Sequence, residues 1–329
     1  MTKFTAYRFH SPANGEPPRG SFDTMTIDDL SAGEVVIRVA YASLNYKDAL
    51  AAAGVGKIIR SYPRIGGIDF TGRVVTSSDG SFSPGDEVIV HGFGVGIDHD
   101  GGHAEYARVR SEWVMPLPTG MSLLDACTLG AAGYTAGLAL HWMELCGLTP
   151  GQGDIAVTGA TGGVASVAID IMAERGYRIC AFSGKLDSDA YLYSLGAAEV
   201  TRTPVLDTVS PLVSARWAGA VDSVGGPILA WLLSAAKPEG IIASFGNAGG
   251  ANLHTTVFPF ILRGVKLLGI NANSPMSLRR IVWGNLNTVY RPAHLNKIAQ
   301  LIEFSELPQA LTAMLNRTSH GRTVIRMHP

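Results

Sequence analysis

A glycine-containing turn between an apolar strand and a helix is the first stretch with recognisable binding chemistry. The strand covers residues 155–157, and the turn contains Gly159, Gly162 and Gly163. A helix that begins at such a turn presents unpaired N–H groups and the positive end of its dipole, and the glycines let a pyrophosphate approach the backbone. The spacing departs from G-x-G-x-x-G, and Ala165 stands at the last position. The turn predicts dinucleotide binding, with an ordinary strand–helix turn as the alternative.

The end of the next predicted strand, 177–182, bears on the choice between NADH and NADPH. NAD sites place a carboxylate there, about 20 residues after the first glycine, where it binds the ribose hydroxyls. Here Ser183 and Lys185 occupy that place, without an acid between them. A hydroxyl and an ammonium attract a 2′-phosphate, and Arg202 can bind phosphate and stack on adenine. We therefore expect NADPH rather than NADH; the alternative is that Lys185 and Arg202 are solvated surface charges.

The ligands that zinc chemistry needs are missing from the corresponding places. Zinc-dependent alcohol dehydrogenases of two-domain layout carry a G-H-E-x-x-G stretch, and residues 67–72, G-I-D-F-T-G, place Ile68 where the histidine would be. The histidines nearby have no cysteine or carboxylate at metal spacing: His91, His99 and His103. The three cysteines are too few for a four-cysteine zinc lobe and are expected to be reduced, buried thiols: Cys127, Cys146 and Cys180. We expect no metal.

Without a metal, the reaction that needs the least catalytic assistance is hydride addition to an acceptor that is already polarised. The carbonyl of an activated C=C or of a quinone takes up the charge as hydride arrives. Residues 43–48, S-L-N-Y-K-D, are predicted to end a strand and begin a helix, which would place Asn45 and Tyr46 at the mouth of a site. Residues 92–96, G-F-G-V-G, resemble a phosphate loop, but no helical pattern follows them, so we expect a plain loop.

Composition limits the class of protein. The chain has 329 residues, 16% of them charged and 47% hydrophobic, and a formal net charge of -1. Its length favours two domains, and the absence of a basic cluster argues against nucleic acid as a partner. The N-terminal ten residues lack an apolar core of signal-peptide length, and no run of 18 apolar residues occurs. A cytoplasmic protein without membrane association is therefore expected.

The hydrophobic pattern changes character along the chain. Residues 1–123 are predicted to be β-rich, with antiparallel strands at 34–40, 70–76 and 87–91, and a helix is predicted over 122–141 with Ser122 as its N-cap. Beyond residue 154, strands and helices alternate, which predicts a parallel sheet. The predicted strands are 155–157, 177–182, 199–200, 218–224, 240–245 and 265–270, and the predicted helices 164–175, 189–195, 228–236 and 275–286. A last strand, 321–327, is expected to rejoin the first domain.

Several motifs occur in an order that resembles a known family. They are S-L-N-Y-K-D (43–48), G-I-D-F-T-G (67–72), G-D-E-V (85–88), G-G-H-A-E-Y-A (101–107), A-G-Y-T-A (132–136), V-T-G-A-T-G-G-V-A-S (157–166), F-P-F-I-L-R-G-V-K-L-L-G-I (258–270) and G-R-T-V (321–324). This set resembles the zinc-independent quinone oxidoreductase side of the medium-chain dehydrogenase/reductase superfamily, and within it the YhdH/YhfP branch, which includes acryloyl-CoA reductase. The resemblance covers nearly the whole chain.

The resemblance implies an α/β fold with two domains. A GroES-like, β-rich catalytic domain would cover 1–123 and be completed by 287–329, and a Rossmann domain, a doubly wound parallel sheet that binds NADPH, would cover 124–286. Family members are commonly dimers, so a homodimer is implied. The chain departs from the branch at Ala165, at 271–273 and partly at 94–100. The last two segments border the substrate in the family, so the acceptor need not be acryloyl-CoA.

The resemblance also implies roles for individual residues. Tyr46 would lie at the nicotinamide and Arg322 near the cofactor cleft. Apart from the resemblance, we choose Tyr46, Asn45 and Arg322 as candidate donors to the enolate oxygen; the alternative for Asn45 and Tyr46 is that they shape the strand-to-helix turn. The pyrophosphate would contact the glycine turn through Thr161, Gly162, Gly163 and Val164. The 2′-phosphate would meet Ser183, Lys185 and Arg202, and the nicotinamide ribose and ring would meet Asn247, Ala248, Ile270 and Asn271.

Three functions are consistent with these residues. The first is NADPH-dependent reduction of an activated C=C, in an acryloyl-CoA-like enoyl thioester or an enone, without metal. The second is NADPH:quinone oxidoreduction. The third, from another class, is a nucleotide-binding relative with little turnover. For the reductase, donors near the substrate would stabilise the enolate oxygen as hydride reaches the β carbon.

Overall fold

The computed structural model describes residues 2–11, 16–206 and 208–327. In these ranges the strands are β1 (Lys3–His10), β2 (Arg19–Thr26), β3 (Val35–Leu44), β4 (Arg64–Ile65), β5 (Asp69–Ser77), β6 (Glu87–His91), β7 (Tyr106–Val109), β8 (Val114–Pro116), β9 (Asp154–Thr158), β10 (Ile179–Ser183), β11 (Glu199–Arg202), β12 (Trp217–Asp222), β13 (Ala236–Ser244), β14 (Lys266–Gly269), β15 (Ala299–Glu303) and β16 (Arg322–Arg326). The α-helices are α1 (Tyr46–Ala52), α2 (Leu123–Leu145), α3 (Gly163–Glu174), α4 (Asp189–Ser194), α5 (Gly226–Ser234), α6 (Phe258–Arg263), α7 (Met276–Leu286), α8 (Leu295–Ile298) and α9 (Leu307–Leu315).

The chain forms two compact units. The first comprises Met1–Ala131, Pro275–Arg280 and Ala299–Pro329, and the second comprises Ala132–Ser274 and Ile281–Ile298. The domain prediction, 1–123 with 287–329 against 124–286, includes Met1, 12–15, Asp207 and 328–329, which lie outside the described residues.

The units differ from the predicted domains at three segments. Residues 124–131 belong to the first unit, where the Ala131 N–H donates to Asp69 Oδ2 at 2.7 Å. Residues 275–280 also belong to it, and Arg279 there donates to the His91 carbonyl at 2.6 Å. Residues 287–298 belong to the second unit, because the 294 segment is hydrogen-bonded to α3. These contacts join residues far apart in the chain, so sequence pattern did not indicate them.

The first unit is built on two sheets. β2, β1 and β4 form an antiparallel three-stranded sheet, and a larger sheet has the order β15–β16–β3–β5–β6–β8, with β7 paired to β3. The pairs of the larger sheet are antiparallel except β15 with β16. The three strands predicted in this region correspond to β3, β5 and β6. The predicted terminal strand is β16, which pairs with β3 and so returns the end of the chain to this unit.

The second unit contains a six-stranded parallel sheet of order β11–β10–β9–β12–β13–β14. This is the strand order of a doubly wound sheet, which confirms the predicted Rossmann fold. The order reverses between β9 and β12, and ligands of such sheets bind outside the carboxyl ends of the strands at that point. Several predicted boundaries differ from the structure; at one of them Ala236, placed at the end of a helix, begins β13 and pairs with Trp217.

The long apolar helix α2 begins as predicted, with the Asp125 N–H donating to Ser122 Oγ at 3.0 Å. It is the one helix in the described ranges that is long and apolar enough to cross a membrane, but 83% of its most apolar window is buried inside the protein, as in the core helix of a globular fold. The helix is interrupted at Gly130, which has φ +48° and ψ −150°. Directly after this break, the Ala131 N–H donates to Asp69 in the first unit's polar core.

Gly130 cannot carry a side chain without displacing that core. A Cβ there would lie 2.7 Å from Asp69 Oδ2 and 2.9 Å from both Arg322 Nη2 and Ser43 Oγ. These three atoms belong to buried, mutually bonded groups, so none can move away cheaply. The positive φ adds backbone strain for any L residue.

We therefore predict that Gly130→Ala destabilises the protein by about 3 kcal/mol, from overpacking together with the positive φ. Gly284→Ala is the control, since Gly284 is exposed in α7 and a Cβ there meets no atom within 4 Å. Helix propensity should make this control neutral or slightly stabilising. Urea unfolding followed by circular dichroism measures both, and equal midpoints for the two variants would contradict the prediction.

Candidate functional site

The glycine turn lies between β9 and α3 in the second unit. Gly159 has φ +58°, and a Cβ there would collide with a serine hydroxyl, so the turn requires glycine. Gly162 precedes α3 in an extended conformation as its N-cap, and Gly163 is the first helical residue. Gly163 and Val164 lie in the first turn of α3, where backbone N–H groups have no acceptor within the helix. The turn therefore fits the pyrophosphate of a dinucleotide, as the spacing predicts.

A buried carboxylate on the neighbouring strand stabilises this turn by hydrogen bonds. Asp222, the last residue of β12, accepts a hydrogen bond from Thr158 Oγ1 at 2.6 Å and from the N–H groups of Val224 and Gly225 at 3.1 and 3.0 Å. Burial raises its pKa, and these donors act against that rise. Thr161, predicted to contact the pyrophosphate, is buried within the turn at 8% exposure. Sequence analysis missed Asp222, although an acid that ends a wholly apolar strand was a usable signal.

The residues predicted to bind the 2′-phosphate gather at the end of β10, and we call this group the phosphate cradle: Ser183, Lys185 and Arg202. The buried hydroxyl of Ser183 accepts the Lys185 N–H at 3.0 Å and lies 2.9 Å from Ser188 Oγ. Arg202 ends β11 and donates to the carbonyl of Lys185 at 3.0 Å. Burial lowers the pKa of Lys185, and the charge of Asp187 opposes that shift.

The remaining predicted cofactor residues follow the next strands of the same sheet. Asn247 and Ala248 come after β13, where the Gly249 N–H donates to the Val224 carbonyl at 2.7 Å. Ile270 follows β14 and donates its N–H to the Ser244 carbonyl at 2.9 Å.

The next residue, Asn271, uses its side-chain oxygen to accept the Asn273 N–H at 2.9 Å. All these segments stand at the carboxyl edge of the parallel sheet, so the second unit brings together the glycine turn, the phosphate cradle and the predicted nicotinamide contacts on one edge.

The predicted catalytic residues lie in the first unit, around the start of α1. Asn45 is the N-cap of α1, and its side-chain amide nitrogen donates to Asp69 Oδ2 at 3.0 Å and to the Ser43 carbonyl at 3.4 Å. Its side-chain oxygen accepts from Arg322 at 3.1 Å. Both amide hydrogens of Asn45 are therefore used within the protein, and neither is left for a substrate in this arrangement.

Arg322 is 2% exposed and is likewise fully engaged. Its Nε donates to the Thr128 carbonyl at 2.9 Å, and Nη1 donates to the Leu44 carbonyl and to Asn45, both at 3.1 Å. Its Nη2 donates to Ser43 Oγ and lies 3.5 Å from Asp69 Oδ2. In this arrangement the guanidinium holds β3, α2 and the start of α1 together and has no N–H to spare for substrate or cofactor.

Tyr46 differs from these two residues. It is the first residue of α1, and its side chain is 41% exposed. Within the described part of the chain, no hydrogen-bond partner of its hydroxyl is found. Of the three predicted catalytic residues, Tyr46 is the one whose polar group is available to a bound molecule.

The carboxylate of Asp48 fixes the start of α1 by accepting backbone hydrogen bonds. Its Oδ2 accepts the Asn45 N–H at 2.9 Å, and its Oδ1 accepts the N–H groups of Gly67 and Ile68 at 3.2 and 3.1 Å. Burial, assisted by the charge of Asp69, raises the pKa of Asp48 to about 7. Asp48 therefore caps α1 and pins the loop at Gly67 and Ile68.

The histidines near the predicted loop do not converge. His91 bonds with the buried Arg279, at 2.8 Å from Nδ1, and His99 Nε2 lies 2.8 Å from the Arg108 carbonyl. His103 is wholly buried, which lowers its pKa to about 3 and keeps the ring neutral. The loop 92–96 is a loop, as expected.

A group of metal-ligand type occurs elsewhere, in the second unit. Asp170 and Glu174 of α3 and His294 have ligand atoms within 4.8 Å of one another. Both oxygens of the buried Asp170 already accept hydrogen bonds from His294, one from the ring and one from the N–H, at 2.9 Å each. We interpret this group as a hydrogen-bonded cluster in which Asp170 holds the 294 segment to α3.

Comparison with known proteins places the chain in a family. Residues 31–119 match the model of the alcohol dehydrogenase GroES-like domain. Acrylyl-CoA reductase AcuI of Ruegeria pomeroyi is 43% identical over 307 residues, which are 92% of each chain. YhfP of Bacillus subtilis, whose name assigns it provisionally to the quinone oxidoreductases, is 43% identical over 308 residues, 92% of this chain and 93% of its own. The chain belongs to the YhdH/YhfP branch of the medium-chain dehydrogenase/reductase superfamily.

Solved structures of this branch match the fold of this chain over nearly its whole length. YhdH of Salmonella enterica in complex with NADP has a TM-score of 0.95 at 39% identity, covering 98% of this chain and 100% of its own. YhfP with NAD bound has a TM-score of 0.95 at 41% identity, covering 99% and 100%. The GroES-like and Rossmann folds and the predicted family are thereby confirmed, and the chain is an oxidoreductase of this branch.

The raised pKa of Asp48 predicts how stability depends on pH. The folded protein takes up a proton near pH 7 at Asp48, whereas the unfolded chain takes it up near pH 4, so lowering the pH from 8 to 5 favours the folded state. Asp48→Asn cannot take up this proton. We expect the wild type to gain stability relative to Asp48→Asn as the pH falls over this range, measured as the free energy of unfolding in urea.

Parallel pH profiles for the two proteins would contradict the assignment. Asp125→Asn, at the partly exposed start of α2, is the control that should keep the wild-type profile.

Proposed function

We propose that this protein is a soluble, cytoplasmic, NADPH-dependent reductase that adds hydride to an activated C=C, in an acryloyl-CoA-like enoyl thioester or an enone, without a metal. NADPH, when bound, supplies the hydride for the β carbon. The observation that carries the proposal is the available hydroxyl of Tyr46 at the start of α1, beside Asn45 and Arg322, whose donors are all in use. Support also comes from 43% identity to acrylyl-CoA reductase AcuI.

In this proposal the chain's residues divide the work. Tyr46 is the catalytic residue: its O–H donates to the carbonyl oxygen of the substrate, where negative charge develops during the reaction. Asn45 and Arg322 are positioning residues, because they act through their bonds to the start of α1 rather than on the substrate. The glycine turn, the phosphate cradle, Asn247–Ala248 and Ile270–Asn271 hold the cofactor.

NADPH is proposed over NADH on the chemistry of the phosphate cradle. No carboxylate ends β10 to bind ribose hydroxyls, and Ser183 and Lys185 stand there instead. The complex of YhdH with NADP supports this choice, whereas YhfP was solved with NAD bound.

A quinone is the second candidate acceptor. YhfP is provisionally named for that activity at the same 43% identity, and a quinone carbonyl can accept a hydrogen bond from Tyr46 as a thioester can. NADPH oxidation measured with acryloyl-CoA, crotonyl-CoA and a quinone separates the two. Reduction of neither thioester would contradict the first proposal, and nucleotide binding without turnover of any acceptor would favour a binding protein.

Tyr46→Phe removes the proposed donor and leaves the ring in place. We expect kcat/KM for NADPH-dependent reduction to fall by about 100-fold, mostly in kcat, because loss of one donor to a developing oxyanion costs roughly 3 kcal/mol. The measurement is steady-state NADPH oxidation at saturating cofactor. Tyr193→Phe is the matched control, an exposed tyrosine on α4 outside the proposed sites. Wild-type kinetics for Tyr46→Phe would remove the assignment.

A homodimer is proposed from the exposed edge of the second unit's sheet. β14 ends that sheet, and nearby α6 carries apolar side chains that are largely exposed, Ile261 at 68% and Leu262 at 64%. An open strand edge beside an apolar patch is a feature that monomers usually avoid. A second copy of the chain related by a two-fold axis would cover both.

Ile261→Asp together with Leu262→Asp should convert the protein to a monomer. Two carboxylates in the proposed interface would have to be desolvated on association, so the dimer should be lost while the thermal midpoint of the monomer changes little. Light scattering after gel filtration gives the mass. A wild-type protein with the mass of one chain would contradict the dimer, as would a double variant that keeps twice that mass.

A further inference from the structure

Arg202 forms an ion pair with a carboxylate that would compete with the phosphate of a bound cofactor. Its Nη1 donates to Asp189 Oδ1 at 2.8 Å and its Nη2 to Asp189 Oδ2 at 3.0 Å, the geometry of a bidentate pair. The other hydrogens of the two nitrogens go to the carbonyls of Lys185 and Leu186, at 3.0 and 3.3 Å. Nε is the remaining donor of the guanidinium. A 2′-phosphate at the cradle would therefore meet an arginine whose charge is already compensated.

The second cation of the cradle has an acidic neighbour as well. Asp187 acts on Lys185 through its charge. Two cations, Lys185 and Arg202, are thus accompanied by two carboxylates: Asp187 lies with Lys185 in the loop after β10, Asp189 begins α4, and Arg202 ends β11. The cradle has phosphate-binding groups but no net positive charge, so its preference for a phosphate over a hydroxyl should be smaller than the cations alone would give.

We propose that Asp189 is a specificity-determining residue that lowers the preference for NADPH over NADH by competing with the 2′-phosphate for Arg202. This inference rests on the proposed NADPH site. Asp189 and Arg202 are 44% and 42% exposed, so solvent and salt screen their pairing, and the phosphate can displace the carboxylate instead of being excluded by it. The consequence is a site whose affinity for NADPH is only moderately higher than its affinity for NADH.

The test compares dissociation constants rather than turnover. NADPH and NADH are titrated into the wild type and Asp189→Asn, with nucleotide fluorescence as the signal. The ratio Kd(NADH)/Kd(NADPH) should rise about fivefold in the variant at low salt, as expected for release of one exposed ion pair, and the gain should shrink as ionic strength increases.

The chain offers a matched control on the same strand. Glu199 forms a comparably exposed ion pair with Arg216, in which the single nitrogen Nη2 donates to both carboxylate oxygens at 2.9 and 3.1 Å, and Glu199 lies at the end of β11 opposite to Arg202. Glu199→Gln should leave the ratio at the wild-type value. In an Arg202→Ala background, Asp189→Asn should no longer change the ratio, because the effect acts through Arg202.

Each other result overturns the inference. A lower ratio in Asp189→Asn would mean that the carboxylate positions Arg202 for the phosphate, and an unchanged ratio would mean that it has no part in selection. If Asp189→Asn still changes the ratio in the Arg202→Ala background, Asp189 acts through a group other than Arg202. Absence of reductase activity contradicts the proposed function without altering these ratios, whereas a wild type that binds neither nucleotide contradicts both.

Discussion

The buried carboxylate of Asp69 is the point on which the first unit's polar core depends. It receives hydrogen bonds from Ser43 of β3, from Asn45 before α1 and from the Ala131 N–H after the break in α2, and Arg322 of β16 lies beside it. A buried charge is tolerated only when it is paired and hydrogen-bonded. Four segments of the chain must therefore meet at one place, and Tyr46, one residue beyond Asn45, is held where it stands as a result.

The second unit depends on a different constraint, the common direction of its strands. Because all six are parallel, the turns that follow them lie on one edge, and the reversal of order between β9 and β12 opens a crevice there. Asp222 shows how the edge is stabilised, by binding the ends of both strands. In the proposed function, the parallel strands position the cofactor site, and the preference for NADPH comes from a few side chains at or just after the ends of β10 and β11.

The sequence predicted what depends on local pattern. Alternating strands and helices predicted the parallel sheet, and Ser122 and the glycine turn predicted the starts of α2 and α3. It did not predict β1, β2 or the two-residue β4, which lack a strong pattern, nor the partners of Arg322, Arg202 and Asp170, which are distant in the chain or depend on rotamers. Cys146 was expected to be buried and is half-buried. The predicted catalytic and cofactor roles stay predictions, now with Tyr46 singled out by its available hydroxyl.

The transfer of hydride to the acceptor's β carbon is the central claim, and isotope labelling tests it most directly. NADPH carrying deuterium at C4, in the position that is transferred, is incubated with the protein and acryloyl-CoA in ordinary water, and the product is analysed by mass spectrometry and NMR. If hydride is transferred as proposed, the product carries one deuterium, on the β carbon, and a solvent-derived proton on the α carbon. Product without deuterium, or with deuterium on the α carbon, would contradict it.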